Sequence, residues 1–127
     1  MKGILIIDHG SVREAANQML ESVGELVQRM AGDSVVVRIA HMELAAPTIA
    51  DGFASCVAAG ATEIVAFPYM LSPGKHSTRD IPRIVSEVAA GHPGISVQVT
   101  PAFGVSEQLA SLVLERAGVT PAESSTR

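Results

Sequence analysis

Residues 2–9, Lys2-Gly3-Ile4-Leu5-Ile6-Ile7-Asp8-His9, contain an unbroken apolar run that is followed by two polar side chains. A strand inside a parallel sheet is covered on both faces, so its sequence reads as a continuous hydrophobic run and not as an alternation. We therefore predict a buried strand from Lys2 to Asp8. The polar pair Asp8 and His9 would stand at its carboxyl end.

A long helix is predicted to follow this strand. Ser11-Val12-Arg13-Glu14 has the spacing of a capping box, and Gly32 stands where a helix would end. Apolar residues recur at helical spacing between these limits, and we expect them to face the core. They are Val12, Ala16, Met19, Val23, Leu26 or Val27, and Met30.

Three more strands and three more helices follow in alternation. The predicted strands run from Ser34 to about Met42, over Glu63–Phe67 and over Ile95–Val99. One helix has Pro47 in its first turn and a core stripe of Ile49, Phe53, Cys56 or Val57, and Gly60. Another opens at Asp80 and Pro82, with a stripe of Ile81, Ile84, Val85 and Val88. The last covers Ser106–Ala117.

Repeated alternation of strand and helix predicts a fold of the α/β class. We expect a three-layer α/β/α domain with a four-stranded, mostly parallel sheet and flavodoxin-like layering. A chain of 127 residues has the length of one domain. We assign that domain to residues 1–117 and expect residues 118–127 to be a disordered tail.

Composition excludes several classes of function. Of all residues 47% are hydrophobic and 3% aromatic, and the net charge is −4. The chain has neither a basic run nor the aromatic residues on which bases stack, so we expect no nucleic-acid partner. No apolar run approaches the ~20 residues of a membrane helix, so we expect no membrane association. The single Cys56 cannot form an internal disulfide, and a cytoplasmic location is expected.

Histidines and a carboxylate collect where ligands bind in such folds. The carboxyl ends of parallel strands share one edge of the sheet. His9 follows the first strand, His41 and Glu43 end the second, and His76 lies in the loop after the third. Imidazoles with a carboxylate suit a borderline divalent metal, although one such histidine alone is more often a hydrogen-bonded structural residue. We expect His41 to be tucked into the sheet, and His92 to be exposed in the turn Gly91-His92-Pro93-Gly94.

The loop Leu71–Asp80 suggests an anionic ligand. Gly74 permits close approach of the backbone, and N–H groups ahead of a helix favour an anion. The alternative is a solvated surface loop. Candidate ligand-binding residues lie in this loop, in the segment after the first strand and at the end of the second strand. They are Gly10, Ser11, Arg13, Met42, Ser72, Gly74, Lys75 and Arg79. Patterns for a P-loop, GxGxxG, CxxC, HExxH or GxSxG are absent from the sequence.

Several ungapped motifs together resemble one known family. They are Asp8-His9-Gly10-Ser11, Ala40-His41-Met42-Glu43-Leu44-Ala45-Ala46-Pro47-Thr48-Ile49, Pro68-Tyr69-Met70-Leu71-Ser72-Pro73-Gly74-Lys75-His76 and Asp80-Ile81-Pro82, with Gly60-Ala61 between them. In this order, from about Gly3 to Ala117, they are similar to the short sirohydrochlorin chelatases, the CbiX/SirB-type class II chelatases. The His-rich insert of some short members and the cysteine-containing extension of plant relatives are missing.

The resemblance implies insertion of a divalent metal, Co²⁺, Fe²⁺ or Ni²⁺, into sirohydrochlorin on the way to siroheme or corrinoids. It places the family's metal-site histidines on His9 and His76 and its acidic residue on Glu43, the three catalytic candidates. The metal would be a substrate, and no organic cofactor is implied. Short members pair, so a homodimer is expected.

Two other functions stay open at this stage. A non-catalytic carrier of tetrapyrrole or metal would use the same residues without accelerating insertion. A phosphate-ester enzyme could use His9 and the glycine-containing loop, although the sequence shows no recognisable nucleophile arrangement for it. The sequence does not say which histidine is the proton acceptor and which the metal ligand.

Overall fold

The computed structural model describes residues 1–122, apart from the side chain of Ser77. Of the predicted tail, residues 123–127 lie outside the described residues. The strands are β1 Lys2–Asp8, β2 Val35–His41, β3 Glu63–Pro68 and β4 Ser96–Val99. The helices are α1 Glu14–Ala31, α2 Ile49–Ala58, α3 Ile81–Ala89 and α4 Glu107–Ala117, and a π-helical turn His76–Asp80 leads directly into α3.

The four strands form one parallel sheet in the order β2-β1-β3-β4. This confirms the predicted α/β class and the parallel sheet. β1 lies between β2 and β3, and the register pairs Asp8 with His41 and Ile7 with Pro68. Three strands therefore end at nearly the same level on one edge of the sheet.

Residues of β1 alternate between the two faces of the sheet and so contribute to two cores. Leu5 and Ile7 are fully buried with α2 and α3, where Phe53 is the only aromatic side chain of the buried cluster. On the opposite face Ile6 packs with Leu20 of α1. Both cores are almost entirely aliphatic, as the composition requires. Among residues 1–122, no helix has the length and apolar character needed to cross a bilayer.

The start of α1 differs from the prediction, because the capping box does not form. The hydroxyl of Ser11 accepts the N–H of Arg13 at 2.9 Å. The side-chain amide of Asn17 accepts the N–H of Ser11 at 3.1 Å and donates to its carbonyl at 2.7 Å. These bonds hold residues 11–13 in a turn, so α1 begins only at Glu14.

The predicted core stripe of α1 is wrong in part: Val27 packs against the buried cluster and Val23 is half-buried, but the other members face solvent. The buried residues are Leu20 and Gly24, while Val12, Met19, Leu26 and Met30 are exposed, as is Ala16. A Cβ on Gly24 would lie 2.5 Å from the Ile39 methyl carbon. The side of the helix that carries Leu20 and Gly24 therefore packs closest to the sheet. Met19 and Met30 consequently face solvent.

The start of α2 differs as well. Thr48 is the N-cap and forms a capping box with Asp51, so Pro47 precedes the helix and is not in its first turn. Ile49, Phe53 and Cys56 are buried as predicted. Gly60 does not belong to the stripe, because it lies beyond the helix end with a φ of 107°.

Cys56 is fully buried, and burial raises the pKa of its thiol to about 11. Because the thiolate is the reactive form, we predict that Cys56 of the folded protein reacts with a disulfide reagent at pH 8 at least ~100-fold more slowly than a free cysteine. Reaction of one thiol per chain after unfolding in guanidinium is the control. Rapid reaction without denaturant would contradict this packing.

Candidate metal centre

The parallel register brings two predicted site residues into contact at the carboxyl edge of the sheet. His9 directly follows β1, and the loop after β3 returns over that edge to His76. Their ring centroids lie 4.7 Å apart with the ring planes at 90°. His9 is exposed and His76 is partly exposed, so both rings are open to a ligand from solvent.

His76 is held in place from its own π-helical turn. Its Nδ1 lies 3.0 Å from Oδ2 of Asp80, four residues later. The Nε of Arg79 donates to the other oxygen of Asp80 at 3.2 Å, and this bond is the main reason why the pKa of Asp80 is lowered. In the tautomer with the proton on Nδ1, His76 donates to Asp80 and Nε2 is the nitrogen that can bind a ligand. A carboxylate–histidine pair of this kind orients an imidazole for a metal.

His41 is fully buried, as predicted, and pairs with Asp8 across the two strand ends. The distance from its Nδ1 to Oδ1 of Asp8 is 2.7 Å. Among the described residues, its Nε2 is the one buried side-chain nitrogen or oxygen without a hydrogen-bond partner. The hydrogen bond to Asp8 satisfies Nδ1 of this buried ring and ties the ends of the two strands together. His41 fixes the end of β1 beside His9.

Glu43 reaches the same edge through its backbone. Its N–H donates to the carbonyl of His9 at 3.1 Å, and the N–H of Met42 donates to that of Asp8 at 2.8 Å. Gly10 makes this approach possible: its φ is +89°, and a Cβ there would lie 1.8 Å from the Glu43 carbonyl oxygen. The Glu43 side chain is exposed. Across residues 1–122, no three His, Cys, Asp or Glu side chains converge in a metal-binding arrangement.

A cavity of about 420 Å³ adjoins the histidine pair. Its lining is His9, Tyr69, Met70, Leu71, Ser72, Gly74, Lys75 and His76. Three of the predicted ligand-binding residues, Ser72, Gly74 and Lys75, therefore lie beside the two imidazoles. We call this cavity the histidine pocket.

The other predicted ligand-binding residues lie outside the lining of the histidine pocket. Met42 packs against the core, and Arg79 is hydrogen-bonded to Asp80. Ser11, Arg13 and Gly10 shape the turn between β1 and α1, where Arg13 is exposed. Their positions border the edge of the sheet.

Two further predictions can be compared with the structure. His92 is not fully exposed, because its ring packs on Phe53 with centroids 5.0 Å apart. A larger cavity of about 650 Å³ lies between α1 and α2 on the outer side of β2, and none of the four histidines lines it. The histidine pocket is smaller, but its lining contains both His9 and His76.

Sequence reasoning missed the roles of Asp8, Tyr69 and Asp80 at this edge. The sequence analysis places Asp80 only at the start of a helix, although its spacing of four residues from His76 is a signal for a contact on one helical turn. Tyr69 had no signal beyond its place in the loop after β3. Its N–H donates to the carbonyl of Ile7 at 2.7 Å, which continues the sheet beyond the end of β3.

Comparison with known proteins places these features in one family. The CbiX family model matches residues 3–120. The chain is 40% identical to the chloroplastic sirohydrochlorin ferrochelatase of Arabidopsis thaliana over 90% of this chain and 50% of that one. It is 35% identical to the sirohydrochlorin cobaltochelatase of Methanosarcina barkeri over 90% of this chain and 92% of that one.

A solved structure gives the same result for the fold. The crystal structure of the sirohydrochlorin chelatase SirB from Bacillus subtilis subspecies spizizenii in complex with cobalt superposes with a TM-score of 0.82 at 31% identity, over 92% of this chain and 50% of that one. This chain thus spans about half the length of several of the relatives it matches.

Substitution of Gly10 tests the close approach that joins the two loops. Gly10→Ala should lower the free energy of unfolding by about 2 kcal/mol or more, since a β-carbon is strained at positive φ and also meets the Glu43 carbonyl. Gly74→Ala is the control, because a Cβ there meets nothing within 4 Å. Urea unfolding of both variants measures the difference. Equal stabilities would contradict the described packing.

The role of Asp80 can be tested by metal binding alone. Asp80→Asn should weaken Co²⁺ binding by about 10- to 100-fold, because the amide holds the His76 tautomer less strongly than a carboxylate does. Asp33→Asn is the control, since Asp33 lies in the exposed turn between α1 and β2, away from the strands' carboxyl ends. Calorimetric titration with Co²⁺ measures both. An unchanged affinity in Asp80→Asn would show that Asp80 does not support the ligand.

Proposed function

This chain belongs to the CbiX family, and on that premise we propose that it inserts a divalent metal, Co²⁺, Fe²⁺ or Ni²⁺, into a sirohydrochlorin-type tetrapyrrole. The observation that carries the proposal is the contact between His9 and His76 at the mouth of the histidine pocket. The metal is a substrate, and the reaction needs no organic cofactor. We propose a cytoplasmic homodimer as the working form.

The chemistry of insertion matches what these side chains can do. Metal must exchange its bound water for pyrrole nitrogens, and two pyrrole N–H protons must leave. Two imidazoles leave coordination positions open, which suits a metal that is passed on and not kept. His76, oriented by Asp80, is the better-fixed ligand of the two. His9 has no hydrogen-bonded carboxylate among the described contacts, and we assign it to proton acceptance after its lone pair has been freed by transfer of the metal to the macrocycle.

We expect the negative charge of Glu43 to attract the metal ion, without Glu43 being a third fixed ligand. Its backbone is bonded to that of His9, and its side chain is exposed at the same edge. A carboxylate there favours approach of a divalent cation. It would also stabilise an imidazolium on His9 after proton transfer.

The positive groups around the histidine pocket suit a substrate with several carboxylates. Lys75 lines the pocket and is exposed, Arg79 is exposed in the same π-helical turn as His76, and Arg13 is exposed in the turn after β1. The chain as a whole carries a net charge of −4, so these cations are a local feature. They would bind the carboxylates at the edge of the macrocycle, and Ser72 would supply a further hydrogen bond.

The proposal is tested by metallation under anaerobic conditions. Sirohydrochlorin is mixed with the protein and with Co²⁺, Fe²⁺ or Ni²⁺ in turn, and its visible spectrum is followed against a protein-free control. We expect faster metallation with at least one metal. We expect His9→Ala and His76→Ala each to lose at least ~100-fold in rate, the usual contribution of a positioned acid–base group.

His92→Ala is the matched control, because His92 packs on Phe53 and does not line the histidine pocket. It should metallate at the rate of the unaltered protein. A spectral shift without acceleration would replace the chelatase by a carrier of tetrapyrrole. Full activity in both His9→Ala and His76→Ala would refute the assignment of the site.

A further inference from the structure

Leu44 has a backbone conformation that leucine rarely adopts. Its φ is 74°, and among residues 1–122 it is the one residue other than glycine with a positive φ. In this left-handed region the side chain is crowded by its own backbone, and leucine has no short polar group that could compensate. Packing within the chain does not offset the strain, because Leu44 is 64% exposed. Strained residues of this kind cluster at ligand-binding sites, where the strain fixes a side chain for its ligand.

The loop that carries Leu44 is tied to the backbone of His9. The N–H of Glu43 donates to the carbonyl of His9 at 3.1 Å. At the base of the same loop, the N–H of His41 donates to the carbonyl of Pro47 at 2.8 Å. Leu44 directly follows the first of these contacts, so it is held near His9 already in the free protein. A ligand that contacts Leu44 does not have to order the loop.

A second exposed leucine stands on the other side of the histidine pair. Leu71 lies in the loop after β3, lines the histidine pocket and is 71% exposed. Its carbonyl accepts the N–H of Gly104 at 2.8 Å, which fixes this part of the loop. The strand order places β1, with His9 at its end, between β2 and β3. The loops of Leu44 and Leu71 therefore flank His9, and the two outer strands lie about 10 Å apart, a distance that a tetrapyrrole ring system spans.

We propose that Leu44 and Leu71 contact the flat face of the tetrapyrrole on either side of the histidine pair, and that the strain at Leu44 holds its side chain in that position. The proposal rests on the proposed function and deepens it, because it names residues that recognise the apolar part of the substrate. Both leucines are specificity-determining residues for the macrocycle and not ligands of the metal.

The surroundings of the two leucines favour this ligand. A tetrapyrrole with carboxylates along its edge presents negative charge at the edge and apolar surface on its faces. Lys75 lines the histidine pocket together with Leu71. A cation for the edge and an apolar side chain for the face thus stand in one cavity. This combination favours an anionic ligand with an apolar face over an uncharged apolar ligand.

Binding of metal-free sirohydrochlorin, followed by its fluorescence under anaerobic conditions, tests the proposal. Leu44→Asn should weaken binding by about 10-fold, the effect of losing one partly buried leucine contact. Asparagine adopts a positive φ more readily than leucine does, so this variant should unfold at the same urea concentration or at a higher one. Leu71→Asn should weaken binding to a similar extent. Loss of affinity without loss of stability is a result that a merely structural role would not produce.

Two control variants separate the apolar contact from other effects. Leu44→Met keeps an apolar side chain and should bind the macrocycle within about threefold of the unaltered protein. Leu26→Gln should do the same, because Leu26 is exposed in the second half of α1, which runs back toward the opposite edge of the sheet. Co²⁺ affinity should stay within about threefold in all four variants, since none of them alters a histidine.

The possible results distinguish this inference from the proposed function. Unchanged affinity for sirohydrochlorin in both asparagine variants would overturn the inference and leave the proposed function intact. Unfolding of Leu44→Asn at a lower urea concentration would show that Leu44 packs within the fold, and would overturn it too. Normal affinity with altered sedimentation would assign the leucines to a contact between copies of the chain. An unaltered protein that does not bind sirohydrochlorin would refute the proposed function and this inference with it.

Discussion

The site depends on one constraint: three neighbouring parallel strands end at nearly the same position along the sheet. β1 is central and buried on both faces, and its register places Asp8 beside His41 and Ile7 beside Pro68. Every polar residue that follows these strands must therefore emerge at one edge, since the interior offers it no partner. His9 and the loop that carries His76 meet because the sheet ends there. The site is a consequence of strand register more than of any local motif.

At this edge, one set of side chains fixes the position of the site, and a different pair, His9 and His76, is available for the reaction. His41 with Asp8, and Gly10 against the Glu43 carbonyl, fix the backbone around His9. Asp80, itself held by Arg79, fixes the ring of His76. The two imidazoles that face solvent are thus presented by a rigid, hydrogen-bonded frame. Such a frame suits a reaction in which a metal must bind, transfer and leave without remodelling the protein.

The sequence predicts the strands well because each is a short apolar run bounded by polar or turn residues. The buried face of a helix is harder to predict than a strand. In α1, Met19, Leu26 and Met30 repeat at helical spacing, but the small Gly24 determines which side of the helix packs against the sheet. Side-chain partners are harder still. For the Asp80 that orients His76, the sequence offers only a spacing of four residues, which is also compatible with an aspartate that merely starts a helix. The order of strands and the grouping of His9 with His76 follow from topology, whereas hydrogen-bond partners depend on geometry that only the folded chain has.

The central claim is that His9 and His76 bind one metal ion together. X-ray absorption at the cobalt K-edge of the Co²⁺-loaded protein measures the ligands directly. Two imidazoles per cobalt are expected in the unaltered protein, one in His76→Ala, and two in His92→Ala. A cobalt shell made only of oxygen, or an unchanged pair of imidazoles in His76→Ala, would contradict the account.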